Sequence, residues 1–171
     1  MAVSQCGSFG IIGYSCGSLH KFNMQSGLHR GEYSHPDSRA HNGEVVGCAS
    51  DRFNRFVVSA SRDGTLKLWT FKRAKLMSKF VIGSAVVAIH LHRGNALCAV
   101  AADDMRIRVF DCEAQRRVRQ FQGPADRVTC LQMSEDGRWL LIASMDRTLR
   151  IYDIPFATQL HVVPLSFAGL E

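Results

Sequence analysis

The sequence contains no C-x-x-C pair and no cysteine and histidine cluster at zinc-ligand spacing, which argues against a zinc ribbon or a dithiol redox centre. No N-x-S/T acceptor occurs, and no basic stretch precedes an apolar segment, so nothing reads as a secretory leader. Apolar runs fall short of the roughly 18 residues that a membrane-spanning helix requires. Only four prolines are present, Pro36, Pro124, Pro155 and Pro164. All four are expected in connections, where a missing N–H breaks no strand ladder. Amphipathic helical segments of useful length are also lacking, because β-branched residues and period-2 alternation dominate.

What remains is a globular composition in 171 residues, 46% hydrophobic and 21% charged, enough for one ordinary domain. Lys+Arg of 21 against Asp+Glu of 15 gives +6, which favours a polyanionic partner without establishing one. The six cysteines, Cys6, Cys16, Cys48, Cys98, Cys112 and Cys130, are expected to be reduced and mostly buried thiols of a soluble intracellular protein.

Four segments ending in an aromatic carry one pattern: SCGSLHKFN (15–23), SRDGTLKLWT (61–70), ADDMRIRVFD (102–111) and SMDRTLRIYD (144–153). Their aromatics, Phe22, Trp69, Phe110 and Tyr152, lie 47, 41 and 42 residues apart. A spacing of about 40 to 45 residues in a strand-rich chain resembles that of WD repeats. Each copy divides into four short strands joined by turns. In the second these are Val45–Ala49, Phe56–Ser61, Thr65–Phe71 and Leu76–Val81; in the fourth, Val128–Met133, Trp139–Ser144, Thr148–Tyr152 and Gln159–Val163. The expected fold is all-β: a WD-repeat β-propeller over 1–171 with four four-stranded blades, 2–33, 40–81, 84–121 and 124–164, forming a partial, open ring. Rings of this architecture use about 4 to 8 blades, and an open one exposes two apolar sheet faces that favour association. No polar cap is evident at either end, and both ends read as truncated.

In the second copy His41 lies 22 residues before Asp63, Ser59 four before it and Trp69 six after it. These offsets resemble the structural tetrad of WD-repeat propellers, in which the imidazole bridges the turn aspartate and a strand hydroxyl that accepts from the indole N–H. Ser59, His41 and Asp63 also spell a hydrolase triad. Ser59, however, falls inside a strand, and no G-x-S-x-G elbow is present. In the other copies Asp104 and Asp146 occupy the turn position, Phe110 and Tyr152 the aromatic one, and Asp111 and Asp153 follow the aromatics. Neither of these copies has the tetrad histidine, and Cys16 stands at the aspartate position of the first.

Two basic clusters, Lys72, Arg73 and Lys75 with Lys79, and Arg116, Arg117 and Arg119, fall at third-to-fourth strand connections or on outer strands. They could contact phosphate or an acidic subunit, or simply keep an edge strand from pairing with another sheet. No exposed aromatic is evident among them for base stacking. Ser34–Arg39 reads as a polar surface insertion. The histidines His20, His29, His90, His92 and His161 show no paired ligand pattern, so no metal and no cofactor is expected. GSFGIIG (7–13) lacks the Lys-Ser/Thr ending of a phosphate loop and reads as a hairpin.

The run NMQSGLHRG (23–31), with HNGEVVG (41–47) and SEDGRWL (134–140), is similar to the family of WD-repeat subunits of the small-subunit processome, also called the T-cell activation WD-repeat protein family. The similarity spans Ala2 to about Leu165 and corresponds to part of the second propeller. Members of that family are longer, with tandem propellers and a C-terminal helical domain. The resemblance implies a non-catalytic nucleolar scaffold in the nucleus, within a box C/D small nucleolar ribonucleoprotein that supports small-subunit ribosomal RNA processing. The implied partners are other WD-repeat scaffold proteins and precursor ribosomal or small nucleolar RNA, with no membrane and no small-molecule substrate. The repeat alone would equally suit an adaptor in signalling or ubiquitin-dependent turnover.

Overall fold

The computed structural model describes residues 1–4, 6–34 and 39–165. Among them are sixteen strands and no helix. The first sheet holds β1 (Ala2–Val3), β2 (Phe9–Gly13), β3 (Leu19–Asn23) and β4 (His29–Glu32). The second holds β5 (Val45–Ser50), β6 (Phe56–Ser61), β7 (Thr65–Thr70) and β8 (Leu76–Val81). The third comprises β9 (Val86–Leu91), β10 (Leu97–Ala102), β11 (Arg106–Asp111) and β12 (Arg116–Gln122), and the fourth β13 (Val128–Met133), β14 (Trp139–Ser144), β15 (Thr148–Asp153) and β16 (Thr158–Pro164). Every sheet is an antiparallel meander in chain order. Pro164 is therefore not in a connection. It is the last residue of β16 and pairs with Thr148 on an outer edge, where a strand tolerates the missing donor. Pro36 and most of the Ser34–Arg39 insertion lie outside the described residues.

Backbone conformation explains why the chain reverses where it does. Residues in the left-handed region sit at equivalent places in all four sheets. They are Gly7, Asn54, Ala96 and Gly137 in the first hairpin turns; Gly17, Gly64, Met105 and Arg147 in the second; and Gly27, Ala74, Gln115 and Ala157 in the third. Only some of these are glycine, so the turn geometry is imposed by the strand pairing around it rather than by residue choice alone. A β-bulge also recurs just before each aromatic, at Lys21/Phe22, Leu68/Trp69, Val109/Phe110 and Ile151/Tyr152. A bulge there sharpens the twist of the outer strand at the same point in each blade.

Strand alternation then decides which neighbour each side chain meets. In the second sheet Val57 and Trp69 face the first, packing with Ile11, Leu19 and Tyr33. Val58, Leu66 and Leu68 face the third, with Cys98, Val100 and Phe110. Ala99, Ile107 and Val109 turn to the fourth, against Leu140, Ile142 and Tyr152. Three apolar layers thus lie between four sheets, and the middle strands β6 and β10 are buried almost throughout. The outermost strand β16 is exposed along its whole length. Gly47 of β5, Ala88 of β9 and Cys130 of β13 line one hollow of about 340 Å³, so the first strands converge toward a common axis.

Charged side chains tie neighbouring blades together as well. Lys21, buried between the first two sheets, donates from Nζ to Phe71 O at 2.8 Å. Arg119 of β12 donates to Ile154 O at 3.0 Å and Pro155 O at 2.9 Å. Gly17, at φ 87°, accepts from His41 N at 2.9 Å, and a Cβ there would lie 2.2 Å from His41 O.

Two substitutions test this account of the turns by urea denaturation. Arg147→Gly relieves a left-handed, exposed position and gains about 0.5–1 kcal/mol. Gly17→Ala meets backbone it cannot displace and loses about 2 kcal/mol or more.

Candidate functional site

The structure brings His41, Ser59, Asp63 and Trp69 into one chain of hydrogen bonds. Strand β6 carries Ser59 inward, β7 carries Trp69 beside it, the β6–β7 turn supplies Asp63, and His41 enters from the segment before β5. Trp69 Nε1 donates to Ser59 Oγ at 2.8 Å, and Ser59 Oγ lies 2.7 Å from His41 Nε2. His41 Nδ1 lies 3.2 Å from Asp63 Oδ2 and 3.0 Å from Thr65 Oγ1. The indole has no acceptor lone pair to offer, so proton direction follows: Trp69 to Ser59, Ser59 to His41, and His41 Nδ1–H to Asp63. Thr65, which the spacing did not single out, donates from both its amide and its hydroxyl to Asp63 Oδ1. Asn42 N closes the carboxylate at 3.0 Å.

Burial pushes the His41 imidazole down to about 4, with the Asp63 charge opposing and Lys67 assisting. The ring is therefore neutral, and its contact with Asp63 is an N–H···O⁻ hydrogen bond rather than an ion pair. Asp63 is held below its ordinary value: burial opposes ionisation, but bonds from Thr65, Asn42 and His41 outweigh it. In the unfolded chain His41 would protonate near pH 6.5, and in the folded chain only near pH 4. Between those values the unfolded state binds more protons, so stability is complete above pH 6.5 and is lost as pH falls toward 4. Denaturation across that range is expected to show a loss on the order of 2–3 kcal/mol from His41. His41→Ala should cost about 2–4 kcal/mol at neutral pH and flatten that part of the profile.

The other blades solve the same problem differently. Asp104 receives both terminal nitrogens of Arg108, and Asp146 receives Arg150 at 3.2 Å together with Thr148. Arg108 and Arg150 each stand two residues before the blade aromatic, the position Lys67 holds in the second blade. Lys67 instead donates to Ala40 O. The i, i+4 spacing from aspartate to arginine was the available signal for these pairs. Phe110 and Tyr152 are buried against Phe80 and Phe121, at ring separations of 4.9 and 5.0 Å. Asp111 caps the next turn by accepting from Glu113 N and Ala114 N. Asp153 accepts from Phe156 N and pairs with Arg138 at 3.1 Å.

The two basic clusters do not share a hollow. Arg116 and Arg119 line one between the third and fourth sheets, beside Arg138 and Pro155. Arg119 is committed there to backbone carbonyls, and Arg117 donates to Gln120. Lys72 and Arg73 are exposed in the β7–β8 turn with Lys75. Next to them, contrary to the sequence expectation, stands an exposed aromatic: Phe53 in the β5–β6 turn is 65% exposed and lines a hollow with both. It was missed because DRFN reads as a turn and says nothing of a second turn 19 residues away.

One further expectation is corrected. The cysteines are all free, but Cys6, Cys16 and Cys130 are exposed and only Cys98 and Cys112 are buried, since turns and the innermost strand carry the former. Hydrogen bonds from Ser4 and then Ser8 lower the Cys6 thiol to about 7. Iodoacetamide at neutral pH should therefore modify Cys6 ahead of Cys130, and Ser4→Ala should slow it, as read by peptide mass spectrometry. Two histidines do pair: His20 Nδ1 lies 2.9 Å from His29 Nε2 across β3 and β4. Among the described residues no third acidic, thiol or imidazole ligand joins them.

Comparison with known proteins places these features in a family. Residues 1–167 match the family described as the WDR36/Utp21 second beta-propeller domain. The chain is 38% identical over 153 residues to human WD repeat-containing protein 36, covering 90% of the chain and 17% of that protein. It is 40% identical over 155 residues to U3 small nucleolar RNA-associated protein 21 of Saccharomyces cerevisiae, covering 91% and 16%. It is also 40% identical over 156 residues to the Schizosaccharomyces pombe homolog of that protein, covering 91% and 17%. The chain thus spans about a sixth of the length of the curated relatives it matches.

Proposed function

Since the chain belongs to the family of WDR36/Utp21 second β-propeller domains, we propose that it is a non-catalytic scaffold of the small-subunit processome, supporting small-subunit ribosomal RNA processing. On this reading it works in the nucleolus, through protein–protein contacts with other WD-repeat subunits of the box C/D small nucleolar ribonucleoprotein. Precursor ribosomal RNA and small nucleolar RNA lie within its reach there. The observation that carries the reading is 40% identity over nine-tenths of the chain to proteins named for association with U3 small nucleolar RNA.

The non-catalytic part has its own support. Ser59 is completely buried and its oxygen is already engaged by Trp69 and His41, so this triad of residue types has no face open to a substrate. His41, Ser59, Asp63 and Trp69 act instead as an internal brace that holds the second blade's inner hairpin against the segment entering it. Asp146, held by Arg150 and by Ala125 N, does the same for the fourth blade, and Asp104, held by Arg108, closes the turn of the third. Contacts with partners then fall to the turns and outer strands, where the exposed charge lies.

Epitope-tagged chain, expressed in cells and run through a sucrose gradient, is expected to co-sediment with nucleolar pre-ribosomal particles and to recover U3 RNA. A cytoplasmic protein confined to particle-free fractions would refute the scaffold assignment.

A further inference from the structure

We propose that the corner formed by the β5–β6 and β7–β8 turns of the second blade binds single-stranded RNA, stacking a base on Phe53 and holding the flanking phosphates with Arg52, Lys72 and Arg73.

The corner is built to present an aromatic ring to solvent. Asp51, 1% exposed, anchors the β5–β6 turn: its Oδ1 accepts from Arg55 N at 2.6 Å and Phe56 N at 3.1 Å, and its Oδ2 from Phe53 N at 3.3 Å. Asn54 follows in the left-handed region and completes the reversal. A turn this well satisfied has little freedom, yet it points a phenyl ring outward at 65% exposure while Phe56 and Phe71, close by, are buried. A phenyl ring on an anchored backbone has only two side-chain torsions left to order, so covering it with a flat partner costs little entropy.

Positive charge surrounds the ring. The guanidinium carbons of Arg55 and Arg52 lie 5.1 and 5.9 Å from the Phe53 centroid. Arg55 is neutralised by Asp51 and Glu113. Among the described residues, Arg52, Lys72 and Arg73 form no ion pair, which leaves three cations around one ring. Two hollows meet at Phe53, Asn54 and Lys72: one of about 350 Å³ that includes Phe9 and Phe71, and one of about 470 Å³ that includes Thr70 and Arg73. A ring between two recesses, with unpaired cations at the lip, matches how single strands are held without sequence preference: the π-face takes a base and the cations follow the backbone. The choice of RNA over an acidic peptide rests on the scaffold reading above, since the charge alone would suit either.

Fluorescence anisotropy with the purified full chain and a fluorescein-labelled oligouridylate of roughly 12 nucleotides tests this, with a duplex of equal length and polyglutamate as competitors. Saturable binding is expected, weakened roughly 5- to 100-fold by Phe53→Ala and retained by Phe53→Trp. The double variant Lys72→Ala/Arg73→Ala should reduce the salt dependence by about 1.4 in log–log slope. Because these side chains are exposed, circular dichroism and the thermal midpoint should be unchanged. Absence of oligouridylate binding, equal binding by Phe53→Ala, or displacement by polyglutamate at lower concentration than by unlabelled oligouridylate would each overturn the proposal. Particle association of the unaltered chain in cells separates the two ideas. Failure of the unaltered chain to bind oligouridylate while it still associates with particles removes only this corner, whereas loss of particle association by the unaltered chain removes the scaffold reading.

Discussion

A carboxylate half-buried at a tight turn must be matched in charge and hydrogen bonding, and three of the four blades are organised around meeting that demand. Asp63, Asp104 and Asp146 each sit between the two middle strands of a sheet, where water has limited access. Leaving any one unsatisfied would cost on the order of 1–3 kcal/mol, a large share of a domain's net stability. The second blade recruits a histidine from outside the hairpin. That choice ties its turn to the preceding segment, and through Gly17 to the first blade. The third blade uses an arginine of the same hairpin, which satisfies Asp104 locally, while in the fourth Asp146 takes Arg150 of its own hairpin and also accepts from Ala125 N in the segment entering the blade. The first blade has Cys16 in place of the aspartate, in an exposed turn, so the demand does not arise there.

This division has mechanical consequences. A neutral imidazole with both nitrogens engaged fixes the relative position of four chain segments, whereas the Asp104–Arg108 pair of the third blade joins residues of one hairpin. The second blade, like the third, has both faces covered by apolar layers, and its outer turns carry Phe53, Lys72 and Arg73. A rigid blade presenting an exposed ring and unpaired cations is suited to holding a partner without rearranging. The polar chemistry inside the sheets and the polar chemistry on their rims therefore serve different ends. His41, Ser59 and Asp63 inside the second blade have every polar contact filled, whereas Arg52, Lys72 and Arg73 on its rim form no ion pair among the described residues.

Much of this is legible in the sequence. The spacing of Phe22, Trp69, Phe110 and Tyr152 and the alternation around them give the four sheets and, in the second and fourth copies, strand limits within one residue of those observed, because period-2 patterning is a local property of the backbone. The offsets of His41, Ser59, Asp63 and Trp69 likewise named the residues of the buried polar chain. Less legible were the arginine partners of Asp104 and Asp146, which look like ordinary strand residues, and Thr65, whose second bond to Asp63 depends on the turn's exact bend. The exposure of Cys6, Cys16 and Cys130 was misjudged because a thiol's burial follows from its place in the ring and not from its residue type.

By itself the sequence determined the cadence, the strand and turn identities, and the partners of one carboxylate, Asp63, since these depend on neighbours within one hairpin or one repeat. Only tertiary structure decided which of two neighbouring sheets each apolar face meets, that His20 and His29 touch, and that Phe53 lies beside Lys72 and Arg73. Those relations join residues whose separation along the chain carries no periodic signal. They arise from how twisted sheets stack against one another, and stacking is set by the summed packing of whole faces rather than by any short stretch of residues.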